Sequence, residues 1–292
     1  MPSARRLFCF GLGYSARVLA RAFAAEGGSV TGTSRDGEDN TIAFDRDHPL
    51  ADAGRVLGAA THLLSSIPPG RDGDPVLDAH EAHIRKAGNL RWIGYLSTTG
   101  VYGDTGGAPV DETAALSPTS ERSRRRAEAE ARWLALAADH GLPVHVFRLA
   151  GIYGPGRSQL DRVRDGTARR ITRPGHLFSR IHVDDIAAVL MASMARPDPG
   201  AVYNVCDDVP VAPSEVTAYA CELLKIAPPP EVSFESAARE MSPMALSFWQ
   251  DNRRVDNSRI KRELGISLIY PDYKSGLRAV LAAEEKKPRV SS

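Results

Sequence analysis

The hexapeptide GLGYSA at residues 11–16 constrains the fold of this chain more than any other feature of its sequence. It follows an apolar segment, RLFCF at residues 6–10, that is typical of a short buried strand, and it precedes apolar residues at helical spacing. In such a strand–turn–helix unit Gly11 permits the tight turn, and Gly13 lets the backbone approach a pyrophosphate. Ala16 still allows the helix to pack closely on the strand.

The first turn of that helix predicts an anion site. The leading N–H groups of an α-helix lack intrahelical partners, and the helix dipole favours negative charge there. These groups belong to Tyr14, Ser15 and Ala16. The motif therefore predicts that they hold the pyrophosphate of a dinucleotide, and the alternative is a tight strand-to-helix turn without a ligand.

The end of the second predicted strand, Thr33-Ser34-Arg35, bears on which dinucleotide would bind. An NAD site usually places an acid here, and none is present at this strand end. A guanidinium offers paired donors that suit a phosphate, so Ser34 and Arg35 favour the 2′-phosphate of NADP over NAD. The alternative is that Arg35 is a solvated loop residue. Asp45, after the third predicted strand, is either a contact to the adenine edge or a turn residue.

Strands alternate with helices through the first half of the chain, as in Trp92–Thr98 and Glu121–His140. Right-handed βαβ crossovers then predict an α/β fold, a Rossmann-like doubly wound parallel sheet. The second half is less regular. It contains an apolar helix candidate at residues 242–250 that either roofs a cleft or packs in the core.

Composition excludes several classes of function. The 292 residues carry 37 Lys+Arg and 36 Asp+Glu, so binding of nucleic acid through bulk charge is not expected. No run of 18 apolar residues occurs, which argues against a membrane protein. Cys9, Cys206 and Cys221 lack metal-ligand spacing, so we expect three reduced thiols, a cytoplasmic location and no metal site.

Three further motifs carry a family resemblance: STTGVYG at residues 97–103, FRLAGIYGPG at 147–156 and RIHVDDIA at 180–187. With GLGYSA they resemble the extended short-chain dehydrogenase/reductase superfamily, and most closely its NAD(P)-dependent epimerase/dehydratase group, over about residues 6 to 280. The resemblance implies a Rossmann domain with a smaller C-terminal substrate lobe. The expected boundaries are 1–154 plus 181–206 for the Rossmann domain, 155–180 plus 207–283 for the lobe, and 284–292 for a flexible tail.

The resemblance also implies roles for individual residues. Thr98 occupies the catalytic Ser/Thr position four residues before Tyr102, and Thr99 is a second candidate beside it. Further cofactor contacts are implied near the ribose and pyrophosphate and beside the nicotinamide, at Ser65, Ser66, Ile67, Leu149 and Ala150.

The chain departs from the superfamily at its central acid. The family's Tyr and Lys, four residues apart on the following helix, exchange a proton during hydride transfer. Aligned through Glu130, these positions hold Arg122 and Arg126, and an arginine cannot donate a proton near neutral pH. The chain is in this respect similar to atypical members that keep the cofactor fold and lose the Tyr–Lys pair.

Arginines at the expected cleft predict an anionic substrate, such as a nucleotide sugar. The alternative for the helical arginines is a solvated face with local ion pairs. The expected substrate-binding residues are Tyr102, Arg122, Arg126, Arg157 and Arg180.

The sequence alone is compatible with two functions. The first is an NADP-dependent oxidoreductase or epimerase in which Thr98 and Thr99 polarise a carbonyl and the proton comes from water or from a side chain that the motifs do not identify. The second is an NADP-binding sensor or scaffold without redox turnover. The resemblance also suggests a homodimer through the long helices.

Overall fold

The computed structural model describes residues 4–285, which form thirteen strands and eleven α-helices. The strands are β1 (Arg6–Phe10), β2 (Ser29–Ser34), β3 (Ile42–Ala43), β4 (His62–Ser65), β5 (Trp92–Thr98), β6 (Pro109–Val110), β7 (Val144–Leu149), β8 (Gly151–Tyr153), β9 (Arg170–Thr172), β10 (Arg180–His182), β11 (Val202–Val205), β12 (Glu231–Ser233) and β13 (Arg254–Val255). The helices are α1 (Tyr14–Ala25), α2 (Ala53–Ala59), α3 (Pro75–Lys86), α4 (Glu121–His140), α5 (Gln159–Arg164), α6 (Val183–Ala195), α7 (Pro213–Leu224), α8 (Phe234–Ala238), α9 (Pro243–Gln250), α10 (Ser258–Leu264) and α11 (Tyr273–Glu285).

Seven parallel strands form the central sheet in the order β3-β2-β1-β4-β5-β7-β11. The chain runs outward from β1 in one direction, returns, and continues from β4 in the other. This is the doubly wound Rossmann order, and the predicted fold class is confirmed. Ligands in such sheets bind beyond the carboxyl ends of the strands, at the reversal between β1 and β4.

Each face of the sheet is covered by helices because successive side chains of a buried strand point to opposite faces. In β1, Leu7 and Cys9 join the apolar cluster that contains residues of α1 and α6. Phe8 and Phe10 join the cluster that contains residues of α2, α3 and α4, including Trp133. The continuous apolar run of β1 therefore reflects burial on both faces, as is usual for a parallel sheet.

Smaller apolar clusters lie among the elements outside the central sheet. Leu160 of α5, Val216 of α7 and Leu277 of α11 belong to one of them. Trp249 of α9 and Ile171 of β9 belong to another. Three short parallel pairs, β8 with β10, β9 with β12 and β6 with β13, connect these elements.

Most predicted elements of the first half occur where the sequence places them, and β1, β5 and α4 have the predicted bounds. The sequence does not predict helix α2. Its seven residues bury only Ala53 and Leu57, and two apolar positions are too few to show helical periodicity. Glu284 and Glu285 end α11 instead of opening a tail, and Glu284 pairs with Arg164 at 2.7 Å. The rest of the expected tail, 286–292, lies outside the described residues. Within residues 4–285, no helix combines the length and apolarity that crossing a membrane requires.

Candidate functional site

A cavity of about 410 Å³ lies where the start of α1 meets the carboxyl ends of β5 and β7. Its walls also include the start of α4, the segment before β10, part of α9 and the segment between α9 and β13. From the predicted site it contains Gly13, Tyr14, Ser15, Ala16, Ser66, Thr98, Thr99, Arg122, Arg126, Leu149, Ala150 and Arg157. The remaining predicted residues lie outside its lining and are described individually below.

The two glycines of the turn differ in what surrounds them. Gly11 has φ of +82°, and a Cβ there would lie 2.8 Å from both the Ile67 Cγ1 atom and the Ser66 Oγ atom. Gly13 has φ of −86°, and a Cβ there would meet no atom within 4 Å. Gly11 is therefore required by the fold, whereas the bare backbone of Gly13 borders open space on the cavity side.

The start of α1 offers unpaired donors to that space. Gly13 is the N-cap and supplies no side-chain cap, and the helical bonding begins with the Arg17 N–H donating to the Gly13 carbonyl at 2.9 Å. The N–H groups of Tyr14, Ser15 and Ala16 come before that first helical bond, and the three residues line the cavity. A side-chain-free turn below free N–H groups fits the pyrophosphate of a dinucleotide.

Tyr14 joins the glycine turn to the loop after β8. Its hydroxyl donates to the Pro155 carbonyl at 3.1 Å, and the Arg157 guanidinium carbon lies 5.6 Å from its ring centroid. Burial raises the pKa of Tyr14 to about 12, so the phenol stays neutral. Arg157 thereby lies near the anion site, although its sequence position favours the substrate.

The region expected to select the cofactor is partly occupied by a local turn. The Ser34 hydroxyl bonds to the Asp36 carboxylate at 2.7 Å and accepts from the Gly37 N–H at 2.9 Å. Its hydrogen-bonding capacity is therefore used within the turn. Arg35 is exposed and forms no ion pair among the described residues. Asp45 accepts from the main-chain N–H groups of residues 47 and 48, as a turn residue does.

The end of β4 contacts the glycine turn directly. The Ser66 hydroxyl donates to the Gly11 carbonyl, and Ser66 lines the cavity. Ile67 packs against the same glycine. Ser65 is fully buried, and neither it nor Ile67 is part of the cavity lining. Of the three residues, Ser66 is placed to contact a ligand, Ile67 supports the turn, and Ser65 is buried at the end of β4.

Hydroxyl groups collect at the end of β5. The Thr98 Oγ1 atom accepts from the Gly100 N–H at 3.1 Å, so its own hydrogen remains available for another acceptor. Thr99 is largely buried at the start of the short 3-10 helix Thr99–Tyr102. Leu149 and Ala150, at the end of β7, form the neighbouring wall. Thr98 is therefore the hydroxyl best placed to bond a substrate oxygen.

Tyr102 belongs to a buried network and not to the cavity lining. Its hydroxyl donates to the Asn204 Oδ1 atom and accepts from the Arg148 Nη1 atom, both at 2.7 Å. Arg148 also donates from Nε to a Glu130 carboxylate oxygen at 3.0 Å, and Glu130 accepts from the Ser97 hydroxyl at 2.8 Å. The network fixes the position of Ser97, which directly precedes Thr98 on β5.

Arg122 and Arg126 both line the cavity, one helical turn apart on α4. Arg126 is only 9% exposed, and its Nη1 atom donates to the Leu96 carbonyl at 2.8 Å. Partial burial and repulsion from Arg126 and Arg157 lower the pKa of Arg122. By contrast, Arg124 and Arg125 pair with Glu121 on the outer side. The solvated-face alternative therefore describes only the outer arginines of this helix.

Arg180 does not line the cavity. Its guanidinium donates to the carbonyls of Phe178 and Val211 at 2.9 and 3.2 Å. The Arg180 main-chain carbonyl accepts from the N–H of Asp207. Asp207 is itself buried, with 2% of its surface exposed. These contacts place Arg180 in the packing between β10 and the segment that follows β11.

The buried carboxyl group of Asp207 makes the free energy of unfolding depend on pH. Burial raises the pKa of Asp207 to about 8, although the Arg180 charge opposes that rise. The folded chain therefore holds this proton more tightly than the unfolded chain, so the stability that Asp207 contributes is fully present below about pH 4 and is lost as the pH rises through about 8. We expect Asp207→Asn to reduce the loss of unfolding free energy between pH 5.5 and 8.5 by about 3 kcal/mol. Urea unfolding at both pH values measures it, and parallel profiles for the two proteins would contradict it.

Several lining residues were not identified from the sequence. They come from the start of α4, the loop before β10 and the segment before β13: Ser120, Ser123, Leu177, Phe178, Asp251 and Arg253. The predicted helix at 242–250 occurs as α9, with Trp249 buried in an apolar cluster and Phe248 on the cavity side. Both interpretations of this helix therefore hold, each for different side chains.

Comparison with known proteins is consistent with this geometry. Residues 79–206 match the model of the NAD-dependent epimerase/dehydratase family. A solved structure described as a functionally unknown conserved protein from Silicibacter pomeroyi DSS is 51% identical, with a TM-score of 0.87, over 97% of this chain and 100% of that one. Protein YeeZ of Escherichia coli K12 is 28% identical over 92% of this chain and 97% of its own. A dTDP-glucose 4,6-dehydratase of Neisseria meningitidis is 27% identical over 63% of this chain and 55% of its own.

Proposed function

Because the chain belongs to the NAD-dependent epimerase/dehydratase family, we propose that it is an NADP-dependent oxidoreductase acting on an anionic small molecule. The observation that carries the proposal is the open space at Gly13, below the free N–H groups of α1 and beside Thr98. These groups would hold the cofactor's pyrophosphate, with Leu149 and Ala150 beside the nicotinamide. When bound, the cofactor supplies a hydride to the substrate or accepts one from it.

Side chains at the end of β5 and on α4 would assist the reaction without acting as acids. The Thr98 hydroxyl would donate to the substrate oxygen, and the Arg122 charge would stabilise negative charge on that oxygen. An arginine does not release its proton near neutral pH, so the proton for the oxygen would come from water. In a reduction, the carbonyl carbon gains the hydride, its oxygen gains the water proton, and an alcohol results.

The preference for NADP depends on Arg35. Its charge is unpaired among residues 4–285, at the end of the strand that follows α1, where the ribose of the adenosine half would lie. We expect NADPH to bind more tightly than NADH, and Arg35→Ala to weaken NADPH binding about tenfold with little effect on NADH. Calorimetric titration of the purified protein with both nucleotides measures this. Equal losses for the two nucleotides would remove the 2′-phosphate role, and absence of binding by either would overturn the proposed function.

A second candidate, an NADP-binding sensor without turnover, is favoured by the arginines at the expected Tyr and Lys positions. The two functions differ in whether bound NADPH is consumed. Loss of NADPH absorbance with an anionic carbonyl compound, abolished in Thr98→Ala while NADPH still binds, would support the enzyme. A change of shape or assembly on NADPH binding, with no consumption across such compounds, would support the sensor.

A further inference from the structure

We infer that Arg122 and Arg126 form a carboxylate-binding pair at the reacting end of the cavity, and that the substrate is a 2-oxo acid or the corresponding 2-hydroxy acid. The inference rests on the proposed function and names its substrate class. It depends on the charge balance of α4, on the position of the pair relative to Thr98, and on the apolar residues of the cavity lining.

Arg126 forms no ion pair with any of the residues 4–285. It is 9% exposed, and its hydrogen-bond partners are neutral: the Leu96 carbonyl at 2.8 Å and the Tyr95 hydroxyl at 3.4 Å. The acid one turn further along α4, Glu130, is bonded to Arg148 and Ser97. A buried guanidinium without a counter-charge is costly, and a bound anion would remove that cost.

Arg122 adds a second charge to the same space. It lines the cavity one turn before Arg126, and among the described residues neither forms an ion pair. The acid nearest in sequence, Glu121, is engaged by Arg124 and Arg125 on the outer side of α4. The acid nearest to the helix start in the cavity lining is Asp251, which accepts from the Thr119 hydroxyl at 2.6 Å and is paired with Arg253. Arg122 and Arg126 therefore lack an ion-pair partner among the described residues. A planar carboxylate matches the paired donors of a guanidinium.

The position of the pair restricts where the substrate's charge lies. Arg126 bonds to the carbonyl of Leu96, two residues before Thr98 on β5, so the pair borders the hydroxyl expected to bond the reacting oxygen. A carboxylate held there must be bonded to the reacting carbon or lie very near it. In a nucleotide sugar the charged diphosphate is separated from the oxidised ring carbon by much of the sugar, so its charge would lie elsewhere.

The apolar part of the cavity lining fits the rest of such a molecule. Leu177, Phe178 and Phe248 contribute apolar surface to the cavity, and Phe248 is 55% exposed. Arg253, which also lines the cavity, is paired with Asp251 at 2.9 Å, so its charge is already balanced. Free positive charge on the substrate side therefore concentrates on α4, while these apolar residues suit an apolar side chain. Arg157 stays near Tyr14 and the pyrophosphate region.

The test uses calorimetric titration of the full chain saturated with NADP⁺, so that no turnover occurs. The probes are phenylglyoxylate, which is a 2-oxo acid with an apolar side chain, its uncharged amide, and UDP. We expect phenylglyoxylate to bind at least about tenfold more tightly than the amide. Arg122→Gln and Arg126→Gln should each weaken phenylglyoxylate binding at least about tenfold and change NADP⁺ binding by no more than about twofold.

Arg125→Gln is the matched control, because Arg125 lies on the same helix turn and pairs with Glu121 outside the cavity. It should bind phenylglyoxylate like the wild type. If Arg126→Gln does not fold, Arg122→Gln decides, since Arg122 is exposed at the cavity mouth. Equal binding of acid and amide, unchanged binding in Arg122→Gln, or binding of UDP alone would overturn the inference. Failure of NADP⁺ to bind would instead overturn the proposed function.

Discussion

Gly13→Ala is expected to weaken NADPH binding about 10- to 100-fold while changing the free energy of unfolding by less than about 1 kcal/mol. The backbone at this position, with φ of −86°, accepts any L-residue. The new methyl group would meet no protein atom within 4 Å and would project into the space proposed for the pyrophosphate. Calorimetric titration with NADPH and urea unfolding measure the two quantities.

Gly58→Ala provides the matched control for that substitution. Gly58 lies in α2, away from the cavity lining, and a Cβ there would also meet no atom within 4 Å. Alanine at Gly58 should therefore leave NADPH binding unchanged and stabilise the helix slightly. Unchanged NADPH binding in Gly13→Ala would contradict the placement of the pyrophosphate at α1. A large loss of stability in that variant would contradict the open space that the structure shows at the turn.

Glu130→Gln is expected to lower the free energy of unfolding by about 3–5 kcal/mol. Glu130 is 1% exposed and supplies the counter-charge of Arg148, which is itself 5% exposed. Removal of the carboxylate charge leaves that guanidinium buried with the Tyr102 hydroxyl as its main remaining partner. The penalty comes from the unpaired charge more than from the loss of one hydrogen bond. Urea unfolding at neutral pH measures it.

Two further variants separate this cause from a general weakness of α4. Glu128→Gln changes an exposed acid on the same helix and should alter the free energy of unfolding by less than about 0.5 kcal/mol. The double variant Glu130→Gln/Arg148→Met removes both charges and should recover part of the stability lost in the single variant. A loss below about 1 kcal/mol in Glu130→Gln would show that water or local rearrangement compensates the Arg148 charge.

The sequence alone was sufficient for the elements whose pattern is local. Strand β1 is a short apolar run before a glycine turn, and α4 begins at a Ser cap and ends at a glycine with φ of +65°. These signals depend on residues close together in the chain, so periodicity and capping rules detect them. The order of such elements then determined the sheet class, and the glycine turn located the proposed cofactor site.

The partners of the charged and polar side chains were decided by the tertiary structure. Arg126, Arg148 and Arg180 have the same chemistry in the sequence, but one borders the cavity, one pairs with Glu130, and one bonds main-chain carbonyls away from the cavity. Tyr102 likewise enters a buried network through Asn204, which is distant in the chain. Such contacts depend on which elements meet in space, and no local pattern encodes them.

The same distinction applies to the cofactor and substrate ends of the cavity. The turn at Gly11 and Gly13 could be predicted because its geometry is set by residues within one strand–helix unit. The sequence left open whether the helix at residues 242–250 roofs a cleft or packs in the core, and only the tertiary structure directs Phe248 to the cavity and Trp249 to an apolar cluster. Local sequence thus determined which backbone could bind a phosphate, whereas long-range packing decided which side chains face the substrate.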